Sequence, residues 1–286
     1  MAAAMAISGT IGWLVVSSGA PVPVLLFWRC LFGALTLLAF CAALGLLRRL
    51  AWRMVMLAAV GGIAIVANWL LLFLSYSHAS ISVATVIYNT QPFMLVGLGV
   101  LFLREKVTMR QLGWLALAFG GVVLLARSKP QGAPVDAQYP LGVALALGAA
   151  CLYAIAALVA KRLKGIAPHL IALIQMAVGT LLLLPVGVAA GWPDTLREWG
   201  SFVTIGAVYT GFMYILLYGA LQKLPTPVAG ALSFIYPLVA VLVDHLAFGV
   251  RLGVEQWAGA AAVLAAAGGL NLAPRAPAAA AHGSRS

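Results

Sequence analysis

The sequence predicts an all-α integral membrane protein with ten transmembrane helices, arranged as two inverted five-helix repeats around a central cavity. Three observations carry this prediction: the composition, the spacing of apolar runs, and an internal repeat at an offset of 145 residues. Of the 286 residues, 64% are hydrophobic and only 8% are charged, whereas roughly a quarter of the residues in a soluble protein are charged. The solvent that suits such a chain is a lipid bilayer.

Apolar runs bounded by charged residues, proline or glycine define ten candidate helices. The first is short and rich in alanine and glycine. A signal peptide is the alternative for it, but the basic stretch that opens such peptides is missing. The tail 274–286 is rich in alanine and proline and is predicted to be disordered. The candidate helices cover residues 3–18, 22–47, 54–75, 80–103, 109–126, 139–161, 166–191, 199–222, 226–248 and 253–273.

The distribution of Lys and Arg predicts an inner-membrane protein with both termini in the cytoplasm. Twelve of the 17 Lys and Arg residues fall in loops after even-numbered helices or in the C-terminal tail, and five fall on the other side. Because cytoplasmic loops are enriched in these residues, this excess orients the chain and places a linker, 127–138, in the periplasm. The same small clusters explain the net charge of +11 better than nucleic-acid binding does.

An internal repeat relates the two halves of the chain, residues 1–126 and 139–273. The stretch "SVATVIYNTQPFMLV" (82–96) aligns with "PVAGALSFIYPLVAV" (227–241), which places Pro92 over Pro237. Because each copy holds an odd number of helices, the second copy enters the membrane in the opposite sense. Inverted repeats of this kind are typical of transporters whose substrate site lies between the copies, near the midplane.

Two stretches resemble a known family. "FWRCLFGALTLL" (27–38) is similar to the second helix of EamA-type members of the drug/metabolite transporter superfamily, and "QPFMLVGLGVLFLREKVTMRQLGW" (91–114) is similar to the end of their repeat. The second stretch includes Glu105, whereas the second copy has Val250 at that place. The resemblance extends to about residue 273, and within the family the chain is most similar to the YddG-type aromatic amino acid exporters. It implies a cavity that opens alternately to each side, lined largely by helices 1, 3, 4, 6, 8 and 9.

The two aligned prolines are predicted to act as hinges or gates. Neither Pro92 nor Pro237 has an N–H to donate to the carbonyl four residues earlier, so the carbonyls of Tyr88 and Ser233 are expected to be free acceptors at mid-depth. Alternatively, the prolines only kink their helices for packing and Asn89 only joins one helix to another.

The polar residues around these prolines lead to a binding hypothesis. In hydrocarbon an unpaired polar group is costly, so such residues face protein or a water-filled cavity. We expect the two carbonyls, with Asn89 and Gln91, to receive the ammonium and carboxylate groups of an amino acid while neighbouring rings hold its side chain. The predicted substrate-binding and cavity residues are Trp13, Asn68, Tyr88, Asn89, Gln91, Tyr153, Gln175, Tyr214, Ser233 and Tyr236.

This set is uncharged and rich in rings, which bears on the substrate. A phosphorylated substrate would need Lys or Arg at mid-depth, and Arg29 and Lys161 are expected to lie nearer the helix ends, with their charged ends at the interface. An amino acid with an aromatic or large apolar side chain fits a neutral, ring-lined cavity better. A less selective exporter of drugs or metabolites is the alternative that the same cavity permits.

Other classes of protein find little support in the sequence. It contains no HExxH, GxSxG or Walker motif, so nothing points to an enzyme. Cys30, Cys41 and Cys151 stand singly in apolar runs, so neither a metal nor another cofactor is expected. No carboxylate is expected at the centre of a helix, which leaves both facilitated diffusion and proton antiport open. The expected partners are a small-molecule substrate and the lipid bilayer, with monomer and homodimer both open.

Overall fold

A computed structural model describes residues 1–47, 50–78, 84, 87–126, 139–248 and 254–272 of the chain. Within these ranges the backbone forms helices and no strand, which confirms the all-α class. We number the helices α1 to α10 in chain order. Their bounds are Ala2–Ser18 (α1), Val22–Ala43 (α2), Trp52–His78 (α3), Gln91–Leu103 (α4), Met109–Ala126 (α5), Tyr139–Arg162 (α6), Pro168–Ala190 (α7), Leu196–Lys223 (α8), Thr226–Ser233 with Ile235–Phe248 (α9) and Val254–Leu272 (α10).

The observed bounds lie within a few residues of the predicted ones, except in the fourth helix. The predicted helix 80–103 begins among residues that lie largely outside the described ranges. Residues 84, 87 and 88 are helical, and α4 starts at Gln91 after a turn. The predicted linker 127–138 and the predicted disordered tail 274–286 also lie outside the described ranges.

Among the described residues, five helices are long and apolar enough to cross a membrane, namely α2, α3, α6, α7 and α8. The described parts of α1, α4, α5, α9 and α10 contain shorter apolar helices, so the count of ten spans stays a prediction. The outer surface of the bundle carries large apolar side chains: Leu101 is 71% exposed, Leu181 69% and Leu246 81%. A surface of this kind is suited to lipid.

Proline and capping residues fix several helix starts. Helices α2, α7 and α9 each have a proline in the first turn, where the missing N–H would have no helical partner in any case. Helix α8 starts with a capping box, in which Oγ1 of Thr195 accepts from the backbone N–H of Glu198 and the Glu198 carboxylate accepts from the N–H of Thr195. Two backbone donors that the helix cannot satisfy are thereby bonded.

Helices α4 and α9 are both interrupted just before the aligned prolines. Asn89 and Thr90 form a turn, and α4 then starts at Gln91 with Pro92 as its second residue. In α9 the first segment ends at Ser233, and the second starts at Ile235 with Pro237 as its third residue. The sequence predicted a bend within each continuous helix. In the structure each helix is interrupted by a turn instead. A proline in the first turn of the helix that follows costs no hydrogen bond, because the N–H groups of a first turn have no helical partner.

Helix α8 contains a wide turn where it crosses α2. Residues Ala207–Phe212 form a π-helical segment, a feature that often marks functional sites. The backbones approach closely here, since a Cβ added to Gly33 would lie 2.8 Å from Cγ2 of Thr210, and one added to Gly211 would lie 2.9 Å from Cγ2 of Thr36.

Helices from the two halves pack against one another throughout the bundle. Helix α2 packs against α7 and α8, α3 against α6 and α7, α4 against α6 and α9, α1 against α8 and α9, and α5 against α10. The main apolar core draws on α1–α4 and α6–α9, and a smaller one joins α4, α5, α9 and α10. The predicted site residues of α3, α4, α6, α7 and α8 therefore meet inside the bundle.

Candidate functional site

Four tyrosines and one tryptophan lie inside the bundle in two groups of ring contacts, and Tyr153 of one group interacts electrostatically with Tyr214 of the other. The ring centroids of Tyr88 and Tyr153 are 6.3 Å apart, those of Trp69 and Tyr214 are 6.1 Å apart, and those of Tyr214 and Tyr218 are 5.2 Å apart. All three pairs meet edge to face, the geometry that ring quadrupoles favour. We call these five residues the ring cluster.

Asn68 ties the ring cluster to the surrounding helices. It is fully buried, and its Nδ2 donates to the carbonyl of Ala149 at 2.7 Å and to the hydroxyl of Tyr88 at 3.3 Å. Helix α3 is thereby joined to α6 and to the segment that precedes α4. Its Oδ1 is buried and has no hydrogen-bond partner among the described residues.

Gln175 of α7 lies against the cluster from the other side. Its Oε1 accepts a short hydrogen bond from the hydroxyl of Tyr218, and its Nε2 has no partner within the described ranges. A Cβ added to Gly62 of α3 would lie 2.9 Å from Cα of Gln175. The absence of a side chain at Gly62 thus lets α3 and α7 meet at this glutamine.

The remaining predicted site residues are distributed unevenly. Gln91 and Asn89 are buried in the break before α4, and Oε1 of Gln91 has no partner in the described part of the chain. Ser233 is buried and donates to the carbonyl of Ala229 in its own helix at 2.9 Å. Tyr236 is half-buried and interacts electrostatically with Tyr88.

Trp13 lies apart from the ring cluster. It is 47% exposed on α1, and no ring contact joins it to the cluster among the described residues. The prolines predicted as hinges are both buried, and Pro92 lies against α9, where a Cβ added to Gly230 would lie 3.2 Å from its Cβ. A substrate or hinge role for each of these residues stays a prediction.

The structure corrects the expected position of Arg29. The sequence placed its charged end at the interface, but the side chain is only 4% exposed and points into the bundle. Its Nε donates to Oγ1 of Thr210 at 2.8 Å, and its Cζ lies 3.8 Å from the centroid of the Trp69 ring. A buried positive charge therefore lies against Trp69, one ring of the ring cluster. Because α2 is apolar on all sides, its sequence gave no sign of the face on which Arg29 lies.

Lys161 is also buried, with 3% of its side chain exposed, and not extended to the interface. Its Nζ lies 2.7 Å from Oε1 of Glu105 and donates to the carbonyl of Leu224 at 2.8 Å. The other carboxylate oxygen of Glu105 accepts from the backbone N–H of Thr226 at 3.0 Å and from its hydroxyl. We call these four residues the Glu105 cluster. It joins the end of α4, the end of α6 and the connection between α8 and α9.

Electrostatics at the Glu105 cluster favour the ionised carboxylate. Burial tends to raise the pKa of Glu105, but the hydrogen bonds from Lys161 and Thr226 and the charge of Lys161 outweigh it. The pKa therefore lies below its usual 4.5. Sequence reasoning missed this cluster because its members are far apart in the chain. Elsewhere, no group of three or more metal-ligating side chains occurs within the described ranges.

Comparison with known proteins gives the family. The model of the EamA-like transporter family matches residues 1–127 and 140–272. The chain is 28% identical to the uncharacterized transporter YxxF of Bacillus subtilis (strain 168), over 93% of this chain and 86% of that protein. It is 27% identical to an uncharacterized transporter of Archaeoglobus fulgidus, over 80% of this chain and 81% of that protein.

A solved structure agrees with the fold. A protein of known crystal structure, 18% identical in sequence, superposes with a TM-score of 0.82 over 95% of this chain and 96% of that chain. At that identity the likeness shows a shared fold alone. The family matches together cover nearly the whole chain. The chain therefore belongs to the EamA-like transporter family, as a multi-pass membrane transporter and not an enzyme.

Proposed function

We propose that this transporter carries amino acids with aromatic or large apolar side chains out of the cell, by alternating access across the inner membrane. The observation that carries the proposal is the ring cluster with its buried amides. Edge-to-face rings provide a surface that attracts a further ring. Asn68, Gln91 and Gln175 each keep one buried polar atom without a partner among the described residues, and buried polar atoms of that kind call for a partner.

The proposed architecture is two inverted five-helix repeats, residues 1–126 and 139–273, with ten spans and both termini in the cytoplasm. Support comes from the two family matches, which divide the chain near the same place. Helix packing gives further support. If the two halves are related by a repeat, each contact should have a counterpart in which α1–α5 are exchanged with α6–α10. The contact α3–α6 has the counterpart α8–α1, α1–α9 has α6–α4, and α3–α7 has α8–α2. All six contacts occur.

The relatives named above are uncharacterized transporters, so the substrate class rests on this site and on the resemblance to YddG-type exporters. The rings of Tyr88, Tyr153 and Tyr214 combine an apolar face with a hydroxyl. They suit the side chain of an aromatic amino acid, while the amides suit its polar groups. The breaks at Asn89–Thr90 and Phe234 lie where the two halves meet, and we assign to them the change between the two open states.

A transport panel tests the proposal. Purified protein is reconstituted into vesicles, and uptake of tryptophan, phenylalanine, leucine, alanine, lysine and glutamate is compared at equal concentration. We expect the first three to be favoured and Tyr214→Ala to reduce their uptake by at least about tenfold, since it removes two ring contacts and opens a cavity. The matched control is Trp257→Ala, which removes an exposed ring of α10. Equal uptake of all six amino acids would contradict the substrate class.

A further inference from the structure

Arg29 carries a buried positive charge well inside an apolar helix. It is the eighth residue of α2, which starts at Val22, so it lies about 10 Å along the helix at 1.5 Å per residue. Only 4% of its surface is exposed. A charge in such a place is costly unless an opposite charge accompanies it, and intramembrane charges are for that reason commonly functional.

The two protein contacts of the guanidinium leave its charge uncompensated. The Nε group donates to the hydroxyl of Thr210, which is neutral, and one face of the group lies against the Trp69 ring. A ring face attracts a cation but does not neutralise it.

The acidic side chains among the described residues lie elsewhere. Glu105 pairs with Lys161, and Glu198 caps the start of α8. Asp194 and Glu255 are exposed near the starts of α8 and α10. No carboxylate in the described part of the chain forms an ion pair with Arg29. The side chain of Asp244 of α9 lies outside the described set.

The wide turn of α8 fixes the orientation of the guanidinium. The Thr210 hydroxyl donates to the carbonyl of Ile205 at 3.0 Å, so its oxygen is oriented to accept from Nε of Arg29. Contact with Gly33, one turn further along α2, holds the threonine in place. Among the described residues the guanidinium makes its one hydrogen bond through Nε, and its two terminal Nη groups form a planar fork. A planar fork of this kind matches the two oxygens of a carboxylate.

Three of the residues that the sequence predicted for the site lie near Arg29. The phenols of Tyr214, Tyr88 and Tyr236 are close enough to interact electrostatically with its guanidinium. Trp69, which covers its face, also contacts Tyr214 in the ring cluster. The charge, the rings and the amides thus belong to one site.

We propose that Arg29 is the anion-binding residue of this site and that its Nη groups bind the carboxylate of the transported amino acid. The assignment rests on the proposed function and refines it. Substrates must then carry a carboxylate or a similar anion beside the ring. An amine that lacks the carboxylate is rejected because it would bring a second positive charge next to Arg29.

Three ligands with the same indole ring test the carboxylate and the ammonium group separately. Tryptophan carries both groups, tryptamine carries only the ammonium, and indole-3-propionate carries only the carboxylate. Their affinities for purified wild-type protein are measured by titration calorimetry. We expect tryptophan to bind at least about tenfold more tightly than tryptamine, because a hydrogen-bonded charge pair is lost in the amine. If tryptamine binds as tightly as tryptophan, the assignment is wrong, whatever any variant does.

Variants then locate the effect. Arg29→Gln is expected to weaken tryptophan and indole-3-propionate at least about tenfold and to leave tryptamine unchanged or tighter. Arg29→Lys keeps the positive charge but lacks the planar guanidinium, and it is expected to weaken tryptophan binding less than Arg29→Gln does. The control Arg53→Gln removes an exposed arginine at the start of α3, and Asp244→Asn tests the acidic residue outside the described set. Both variants are expected to bind tryptophan more tightly than tryptamine, as the wild type does.

The outcomes distinguish this assignment from the proposed function. Equal weakening of all three ligands in Arg29→Gln would mean that the residue only supports the fold, and would overturn the assignment while aromatic transport stands. Loss of the carboxylate preference in Asp244→Asn would likewise contradict it. Binding of none of the three ligands by folded wild-type protein would overturn the substrate class, and the role of Arg29 with it.

Discussion

Oε1 of Glu105 lies 2.7 Å from Nζ of Lys161, in an ion pair that joins the segment after α4 to the last turn of α6. In the proposed architecture these helices belong to different repeats, and both end on the cytoplasmic side. The Thr226 bonds to the same carboxylate bring the start of α9 into the contact. The Glu105 cluster therefore joins residues of the two proposed repeats at this end of the bundle.

Removing Lys161 tests this contact. In Lys161→Met the Glu105 carboxylate keeps Thr226 but loses its counter-charge. Breaking a buried pair costs about 3–5 kcal/mol, and because Glu105 is 23% exposed and partly solvated, we expect about 1–3 kcal/mol. Thermal unfolding in detergent measures the loss as a Tm lower by several degrees.

The matched control for this variant is Lys164→Met, three residues further on, where the side chain is exposed. It removes the same charge from the same end of the bundle and is expected to leave Tm within about one degree. Equal shifts in the two variants would mean that the ion pair does not contribute to stability.

The lowered pKa of Glu105 predicts how this contribution depends on pH. Its pKa is about 4.5 in the unfolded chain and lower in the folded protein, so the ionised form stabilises the fold. The contribution is fully present above pH 4.5 and is lost as the pH falls through the lower, folded value. The difference in Tm between the wild type and Glu105→Gln should be constant from pH 7 to 6 and shrink below 4.5. A constant difference down to pH 3.5 would exclude this origin.

The helix bounds could be predicted because they depend on local features. The apolar run 166–191 ends at a glycine, and the observed α7, Pro168–Ala190, has bounds within two residues of it. The breaks in α4 and α9 were predicted only as bends, because a proline shows that a hydrogen bond is missing and not whether the helix continues past it.

The interior charges could not be predicted from the sequence. Arg29 lies in a helix that is apolar on every side, so no polar stripe shows which way it faces. Glu105 and Lys161 are 56 positions apart in the chain and are brought together only by the packing of α4 on α6. The ring cluster was predicted in part, because Tyr88, Tyr153 and Tyr214 interrupt apolar runs, whereas Trp69 and Tyr218 were left out of the predicted set.

Substitution by alanine is expected to have opposite effects at two glycines of α4. A Cβ added to Gly99 would lie 2.7 Å from Oγ1 of Thr226, whereas one added to Gly97 would meet nothing within 4 Å. Gly99→Ala must therefore move α4 away from α9 or displace Thr226 from Glu105, and we expect a loss of about 1–3 kcal/mol. Gly97→Ala is the control and is expected to be neutral or slightly stabilising. Unfolding in detergent compares the two, and equal stability would contradict the close approach.

Gln91 gives a prediction for the substrate. If its buried Oε1 receives the ammonium group, Gln91→Ala weakens the binding of tryptophan by about tenfold while the protein still folds. Gln111→Ala is the control, since Oε1 of Gln111 accepts from the backbone N–H of Thr108 at the start of α5, and its loss affects the helix end alone. The affinity of both variants for tryptophan is measured by titration calorimetry. Unchanged affinity in Gln91→Ala would show that Gln91 does not bind the substrate.

Counterflow of tryptophan tests the central claim, alternating access of one site to both sides of the membrane, most directly. Vesicles containing the purified protein are loaded with unlabelled tryptophan, and entry of labelled tryptophan is measured with and without a protonophore. We expect saturable entry that internal tryptophan accelerates. The protonophore should leave this entry unchanged, because no carboxylate of the described residues lies in the ring cluster. Entry no faster than into protein-free vesicles, with protein that remains folded, would contradict it.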